Sequence, residues 1–344
     1  MQLSELKNNL LTSTLSEAKL VQKIHTLSQN FTQSRERISD YLTDPALISA
    51  YTYFYLPTNM AKMPVILDKL GKRIEDFNDY EIIDYGCGPG TYLMALLANG
   101  IKAKRLVGVE TAELMRKQAQ KLFQTFHPEE NIELLSAYKE QENSIDQKKL
   151  LIFSHSANEM SEIEVKEIIK KINPKEVLFI EPGTKSFFTK MKSLRTHLIE
   201  NTFHALYPCP SNHPCPMSDQ DWCHQILKVS LDDDVKRLCQ LVKRDRLYQP
   251  VSLFYFAQSS DRGDQGLKRV VQVFEETKFS LEFNLCESSA TTNQLTHLQL
   301  MKKNLDKRDI KDLRQVYAGD QLGYTIDKKL PNGVVRGALG AIKK

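Results

Sequence analysis

From Tyr80 onward, short apolar runs alternate with longer stretches whose apolar residues recur every three or four positions. The runs are Glu81-Ile-Ile-Asp84, Arg105-Leu-Val-Gly-Val-Glu110, Asn131-Ile-Glu-Leu-Leu135, Leu150-Leu-Ile-Phe-Ser154 and Glu176-Val-Leu-Phe-Ile-Glu181, and they predict buried strands. Helices are predicted between and after them, near 91–99, 111–125, 160–171 and 185–201. Repeated strand–helix units imply an α/β fold with a doubly wound parallel sheet. Upstream, residues 1–75 read as helical, as in Leu15-Ser-Glu-Ala-Lys-Leu-Val-Gln-Lys-Ile24 and Met63-Pro-Val-Ile-Leu-Asp-Lys-Leu70, with Pro57 and Pro64 as punctuation. Downstream, 251–256, 279–285 and 294–300 alternate apolar with polar residues, or nearly so. They predict antiparallel strands that close the sheet or form a small appendage, before a helix near 306–317 and a Gly-rich tail.

The 344 residues are enough for a substantial core, and 41% hydrophobic with 26% charged residues is ordinary for a globular protein. No run of about 18 apolar residues occurs, and Met1-Gln-Leu-Ser-Glu-Leu-Lys7 lacks the basic-then-apolar order of a leader. The expectation is a cytoplasmic protein with no membrane partner, in which six cysteines point to metal binding rather than disulfides. The net charge of +4 is unevenly spread: residues 301–344 hold eleven Lys/Arg and five Asp, a local +6, which leaves −2 for the rest. This tail suits a phosphate backbone, or simply a solvated helix face and a frayed end.

Asp84-Tyr-Gly-Cys-Gly-Pro-Gly-Thr91 falls between a predicted strand and a predicted helix, where glycines let the backbone turn tightly and approach a ligand. Gly86, Gly88 and Gly90 supply the turn, and Glu110, at the end of the next strand, is placed to accept from both hydroxyls of a ribose. The form D-x-G-x-G-x-G is typical of class I S-adenosylmethionine (SAM) methyltransferases, whereas NAD sites usually read G-x-G-x-x-G. In those methyltransferases the acid at the position of Asp84 lies near the methionine end of the cofactor. Cys87 reads as a small spacer. After the fourth strand, Ser154-His-Ser-Ala-Asn-Glu-Met160 occupies the usual acceptor position; His155, Asn158 and Glu159 are candidates to orient a substrate, with His155 or Glu159 taking a proton. The alternative reading is a set of polar strand-end caps.

Three cysteines crowd into Tyr207-Pro-Cys-Pro-Ser-Asn-His-Pro-Cys-Pro-Met217 and Asp221-Trp-Cys-His224, and Cys286 stands further on. Five and then seven residues separate Cys209, Cys215 and Cys223, which matches neither a zinc finger nor the compact ferredoxin run. Four thiolates suit a [4Fe-4S] cluster or a structural zinc, and His213 or His224 are substitutes for one of them. A nucleophilic role is a further alternative, since Pro-Cys pairs occur in cytosine-C5 methyltransferases. Cys239, on a predicted apolar helix face, competes with Cys286 as the fourth ligand.

Several segments together resemble one family: Asp84–Thr91, Ser154–Met160, Glu181-Pro-Gly-Thr-Lys-Ser186, the cysteine run, Leu285-Cys-Glu287 and Tyr317-Ala-Gly-Asp320. It is the methyltransferase-like family associated with assembly of the mitochondrial small ribosomal subunit, which has bacterial members, and the resemblance spans roughly 50–325. One departure is Tyr317, where the family tends to have Trp. The resemblance implies a class I SAM-dependent methyltransferase (Rossmann-like) fold and a [4Fe-4S] cluster on cysteines that map to Cys209, Cys215, Cys223 and Cys286. It also implies ribosomal RNA or the small subunit as partner. A long, Pro-braced loop with one remote ligand suits a staple between that loop and the C-terminal strands rather than an electron-transfer centre. The alternatives are an active rRNA methyltransferase, or a small-molecule methyltransferase with a structural zinc. The expected organisation is a helical region 1–75, a SAM-binding Rossmann-like core 76–204, a metal-binding insertion 205–230, a helix and antiparallel strands 231–325, and a basic tail 326–344.

Overall fold

The computed structural model describes residues 2–13, 15–32, 41–72, 74–140, 147–259 and 268–344. Its contacts divide the chain into two compact units: Met1–Ser156, Ile168–Pro174 and Leu227–Gln249 form the first, and Ala157–Glu167, Lys175–Ile226 and Pro250–Lys344 the second.

The first unit opens with helices α1 (Leu3–Asn8), α2 (Glu17–Thr32), α3 (Pro45–Met60) and α4 (Met63–Leu70). Asp44 caps α3, its Oδ1 accepting from the N–H groups of Ala46 and Leu47 at 2.7 and 3.3 Å, and Pro45 fills the first turn, where no N–H is needed. Pro57 does not end α3 as the sequence suggested. It sits one turn from the C-terminus, and the Thr58 hydroxyl donates to the Phe54 carbonyl at 3.0 Å in the stretch that the missing N–H disrupts. Strands β1 (Tyr80–Tyr85), β2 (Arg105–Val109), β3 (Ile132–Leu135) and β4 (Lys148–Ser154) follow, all parallel in the order β3-β2-β1-β4. Helix α5 (Thr91–Ala98) links β1 to β2 and α6 (Glu113–Phe126) links β2 to β3, which is the Rossmann-like pattern expected from the alternating runs. Helix α7 (Glu162–Ile172) contributes its last residues to this unit, and α9 (Asp233–Leu241) belongs to it entirely. Cys239 is buried on α9, in keeping with its apolar pattern.

In the second unit, β5 (Glu176–Pro182) precedes α8 (Lys185–Glu200) and β6 (His204–Tyr207). Strand β8 (Tyr248–Ala257) lies between β5 and β6, antiparallel to both, and pairs also with β7 (Gln225–Lys228); Leu227–Lys228 and Tyr248–Gln249 of these two strands are counted with the first unit. The remaining strands β9 (Lys268–Val273), β10 (Ser280–Ser288), β11 (Asn293–Met301), β12 (Gln321–Lys329) and β13 (Val335–Lys343) close into a barrel in the order β10-β11-β13-β12-β9. Its interior is filled by Val270, Leu281, Phe283, Leu285, Leu298, Leu300, Leu322 and Val335, and α10 (Lys307–Leu313) adds Leu313 to the same core. Each such side chain contributes about 1.5–3 kcal/mol by leaving water.

Residues 326–344 are therefore not a basic tail but the end of β12 and the whole of β13. Their glycines reflect close strand packing: a Cβ on Gly337 would stand 2.6 Å from the Thr325 carbonyl oxygen. Among the described residues no helix is long and apolar enough to cross a membrane.

Candidate cofactor site and four-cysteine cavity

The glycine loop hangs from the end of β1. Gly86, Gly88 and Gly90 have φ of 77°, 54° and 82°, and the N–H groups of Gly86 and Cys87 both donate to the Val109 carbonyl, at 2.7 and 3.1 Å. Gly90 opens α5 with no room for a side chain, since a Cβ there would lie 2.5 Å from the Phe123 ring of α6. Cys87 is buried, and a Cβ on Gly108 would lie 2.8 Å from its sulfur, so it packs the loop against β2.

Two acids flank this loop. Glu110 accepts from the Gly88 N–H at 3.0 Å and the Ala112 N–H at 2.8 Å, which fixes its carboxylate beside the turn. Asp84 is fully buried; Ser154 Oγ donates to its Oδ1 at 2.7 Å, while Oδ2 has no partner. Burial lifts this carboxyl from 3.8 to about 7 against the opposing Ser154 bond, and Glu110 adds to the rise. The Thr91 hydroxyl is likewise buried without a partner. A buried acceptor and a buried hydroxyl on either side of a glycine turn fit the amino and polar groups of a nucleoside–amino acid cofactor.

The acceptor-loop candidates fall in different units. His155, with φ of 58°, follows β4 in the first unit, its Nε2 3.0 Å from Lys62 Nζ and 3.5 Å from Tyr92 Oη. Burial and then the Lys62 and Arg246 cations hold its imidazole well below the usual range, which makes it neutral and a poor proton acceptor. Arg246 also donates to Asn59 Oδ1 at 3.0 Å, and its guanidinium lies 5.7 Å from the Tyr55 ring centre. Asn158 and Glu159 belong to the second unit. There the buried Glu181 accepts from the Ala157 and Asn158 N–H groups at 2.8 and 3.4 Å, and Lys190 Nζ donates to the carbonyls of Ala157 and Met160 at 2.9 and 2.5 Å. Glu159 is exposed.

The second unit also brings Cys209, Cys215, Cys223 and Cys286 onto one cavity enclosing about 480 Å³ of empty space, its open mouth included. Arg195 of α8, 4% exposed, organises the loop: Nε donates to Cys209 Sγ at 3.3 Å, and Nη2 donates to the Ser211 and His213 carbonyls at 2.8 and 2.7 Å. Gln225 Nε2 points at Cys223 Sγ from 3.7 Å, and the same amide accepts from the Leu253 N–H at 2.7 Å. Arg269, the cross-strand neighbour of Cys286, donates to the Pro208 and Gly319 carbonyls at 3.1 and 2.7 Å and lies over the Tyr207 ring. Burial, and after it the other thiols, push Cys223 well up; for Cys286 the same causes push the thiol up to about 12. Among the described residues, no group of three or more His, Cys, Asp or Glu is arranged to hold a metal ion.

His213 and His224 do not line the cavity; the His224 ring stacks on Trp222 at 5.8 Å. Cys239 lies in the first unit. Arg195 was not singled out by sequence reasoning, and Glu181 was named only within the Glu181–Ser186 motif, without a role of its own. For Arg195 the available signal was a cation in the apolar run Phe187-Phe188-Met191-Leu194-Leu198 of α8, a place arginine occupies only when its donors are used.

A family model described as "Mitochondrial small ribosomal subunit Rsm22" matches residues 45–322, and the chain belongs to that family. No curated protein sequence matches significantly. Similar solved structures include TrmK of M. capricolum in complex with S-adenosyl-homocysteine, at 14% identity and a TM-score of 0.34, covering 56% of this chain and 68% of that one. The PH0226 protein of Pyrococcus horikoshii matches at 15% identity and a TM-score of 0.34, over 66% of this chain and 99% of that one. The plantazolicin methyltransferase BpumL, in complex with a substrate analogue and S-adenosyl-homocysteine, matches at 10% identity and a TM-score of 0.38, over 71% and 98%.

Proposed function

We propose, with membership of the Rsm22 family as the premise, that this chain is a SAM-binding methyltransferase-like protein that carries a [4Fe-4S] cluster. In this reading it acts on, or assists assembly of, the small ribosomal subunit through its RNA. The observation that carries the proposal is the convergence of Cys209, Cys215, Cys223 and Cys286 on one cavity. A lone zinc, with Zn–S near 2.3 Å, would draw four sulfurs to within about 4 Å of each other. A cluster places an iron at each ligand, and four thiols lining one cavity supply that ligand number. Arg195 and Gln225 would then direct N–H groups at ligand sulfurs, which tunes such centres.

SAM supplies an already activated methyl group, so the protein's task is to bind and align. Asp84 Oδ2 would offer a buried acceptor to the cofactor's ammonium, the glycine turn would admit the cofactor closely, and Glu110 would accept from the ribose hydroxyls. In the first unit's part of the acceptor loop, His155 is a weak base because burial and the Lys62 and Arg246 cations hold its imidazole well below the usual range, while Glu159, the other candidate, is exposed.

Metal and sulfide analysis after anaerobic purification tests the cluster: about four irons are expected per chain, lost in Cys286→Ser and kept in Cys239→Ser. About one zinc and no iron would refute it. Salt-sensitive co-sedimentation with small-subunit precursors tests the ribosomal role, and indifference to salt and to the C-terminal segment would count against it.

A further inference from the structure

The barrel of the second unit has a diagnostic connectivity. Numbered in chain order, its five strands neighbour one another as 1-2-3-5-4-1: β9 pairs β10, β10 pairs β11, β11 pairs β13, β13 pairs β12 and β12 returns to β9. Every pairing is antiparallel except β11 with β13, and α10 lies between the third and fourth strands with Leu313 in the barrel core. This is the topology of the oligonucleotide/oligosaccharide-binding barrel, whose ligands cross strands two and three and the loops joining one to two and four to five. A fold alone assigns no ligand, so the residues on that face must decide.

They carry rings and cations, beside two loop acids: Glu275, which is exposed, and Glu276, which Arg314 and Lys302 engage. In the first of those loops, Phe274 stacks on His297 of β11 with centroids 4.6 Å apart and planes 20° apart. Phe279, at the other end of the loop, is 65% exposed, and Lys278 Nζ lies 5.5 Å from its ring centre. Across the strands, Gln299, Arg336 and Lys328 are successive cross-strand neighbours on β11, β13 and β12, and Arg336 Nε donates to Gln299 at 2.7 Å. The acid on this row, Glu282, is engaged by His297 at 2.8 Å and Gln299 at 2.9 Å. Residues 268–344 hold fourteen Lys/Arg and nine Asp/Glu, a net +5, whereas the whole chain is +4. The positive charge of the protein thus resides in this barrel.

We propose that the barrel binds single-stranded RNA across β10, β11 and the loop 274–279, with Phe279 and the Phe274–His297 pair as base-stacking platforms and Arg336 and Lys328 on the backbone phosphates. Exposed rings beside cations select unpaired bases, because a duplex offers only its phosphates and sugar edges to such a surface. The proposal deepens the ribosomal reading by naming the RNA form and the surface, and it rests on that reading only for the source of the RNA. The family match ends at residue 322, before β13 begins, so part of this surface lies beyond it.

The test uses the full chain and fluorescence anisotropy with a labelled mixed-sequence 12-nucleotide RNA, its duplex, and heparin as a plain polyanion. Single-stranded RNA should bind at least tenfold more tightly than the duplex, and Phe279→Ala should weaken it about 5- to 100-fold, with recovery in Phe279→Trp and little change for heparin. Phe279 is exposed, so its variants should keep the wild-type melting temperature. Lys328→Gln with Arg336→Gln should flatten the salt dependence. Equal affinity for duplex and single strand, or Phe279→Ala binding as the wild type, overturns the proposal, as does an equal loss for heparin. If the wild type binds no single strand yet co-sediments with small-subunit precursors, the barrel proposal falls and the ribosomal reading stands. Ring-dependent RNA binding without co-sedimentation upholds the barrel proposal and removes the ribosomal reading.

Discussion

Asp84 provides the sharpest test of the cofactor site, because the same burial that prepares it for a cation makes it costly without one. Its carboxyl titrates at about 7 in the folded chain against 3.8 as the ordinary value. The folded state therefore holds the proton more tightly than the unfolded one, and stability is lost as pH rises from about 4 towards 7, then levels off. At 1.36 kcal/mol per pH unit, the cost is about 2 kcal/mol at pH 5.5 and about 4 kcal/mol at pH 8.5. Asp84→Asn keeps an acceptor for Ser154 and does not ionise. It should gain on the wild type by about 2 kcal/mol more at pH 8.5 than at pH 5.5, measured by denaturant unfolding without ligand. SAM affinity should move the other way, because the cofactor's ammonium favours the ionised carboxylate. Between pH 7.5 and 5.5 the ionised fraction falls about 25-fold, and calorimetric affinity should fall by a similar factor in the wild type. In Asp84→Asn it should be weak and flat. An Asn variant that binds SAM like the wild type, or a wild-type affinity that ignores pH over this range, would refute the role assigned to the carboxyl.

Other perturbations follow from single contacts. Gly90→Ala combines a left-handed backbone with a Cβ 2.5 Å from Phe123 and should cost about 2–4 kcal/mol, whereas Gly88→Ala, with nothing within 4 Å, should cost only about 1–2 kcal/mol. Thermal melting separates the two, and equal losses would contradict the packing argument. Arg195→Met strips the Ser211 carbonyl and the Cys209 sulfur of a donor, while Asn293 still donates to the His213 carbonyl at 2.8 Å. A loss of about 1–3 kcal/mol and faster proteolysis within 208–224 are expected; unchanged cleavage would show that the loop holds without it.

The parts legible in the sequence were those whose physics is local. Buried strands β1, β2, β4 and β5 advertise themselves as continuous apolar runs, and α5 to α8 as periodic stretches, so their places were predicted to within a few residues. The glycine turn was readable because positive φ at Gly86, Gly88 and Gly90 is a demand of the chain's own geometry. Strands β12 and β13 were not readable. Their outer halves are exposed, so Lys328, Lys329 and Gly340 dilute the alternation to the composition of a tail, and only closure against β9 and β11 makes them strands. The barrel was missed for the same reason: its identity lies in a parallel pairing of β11 with β13, which no window of sequence contains. Lys62 escaped notice because a buried cation close to a proline looks like a solvated helix start until His155 is found 3.0 Å from it.

Strand β10 explains why one cysteine stands so far from the other three. The proline-rich loop presents Cys209, Cys215 and Cys223, and the cavity wall is completed by α8, by Phe254 of β8 and by Cys286 of β10. Cys286 is fixed by ladder pairing on both sides, to Arg269 on β9 and Leu295 on β11, and Leu285 beside it is anchored in the barrel core. Cys286 thus stands on a strand held by ladders on both sides, whereas Cys209, Cys215 and Cys223 stand outside regular elements. The outward positions Cys286, Asn284 and Glu282 then follow one another along the same face of one strand, from the cysteine cavity to the ring of His297.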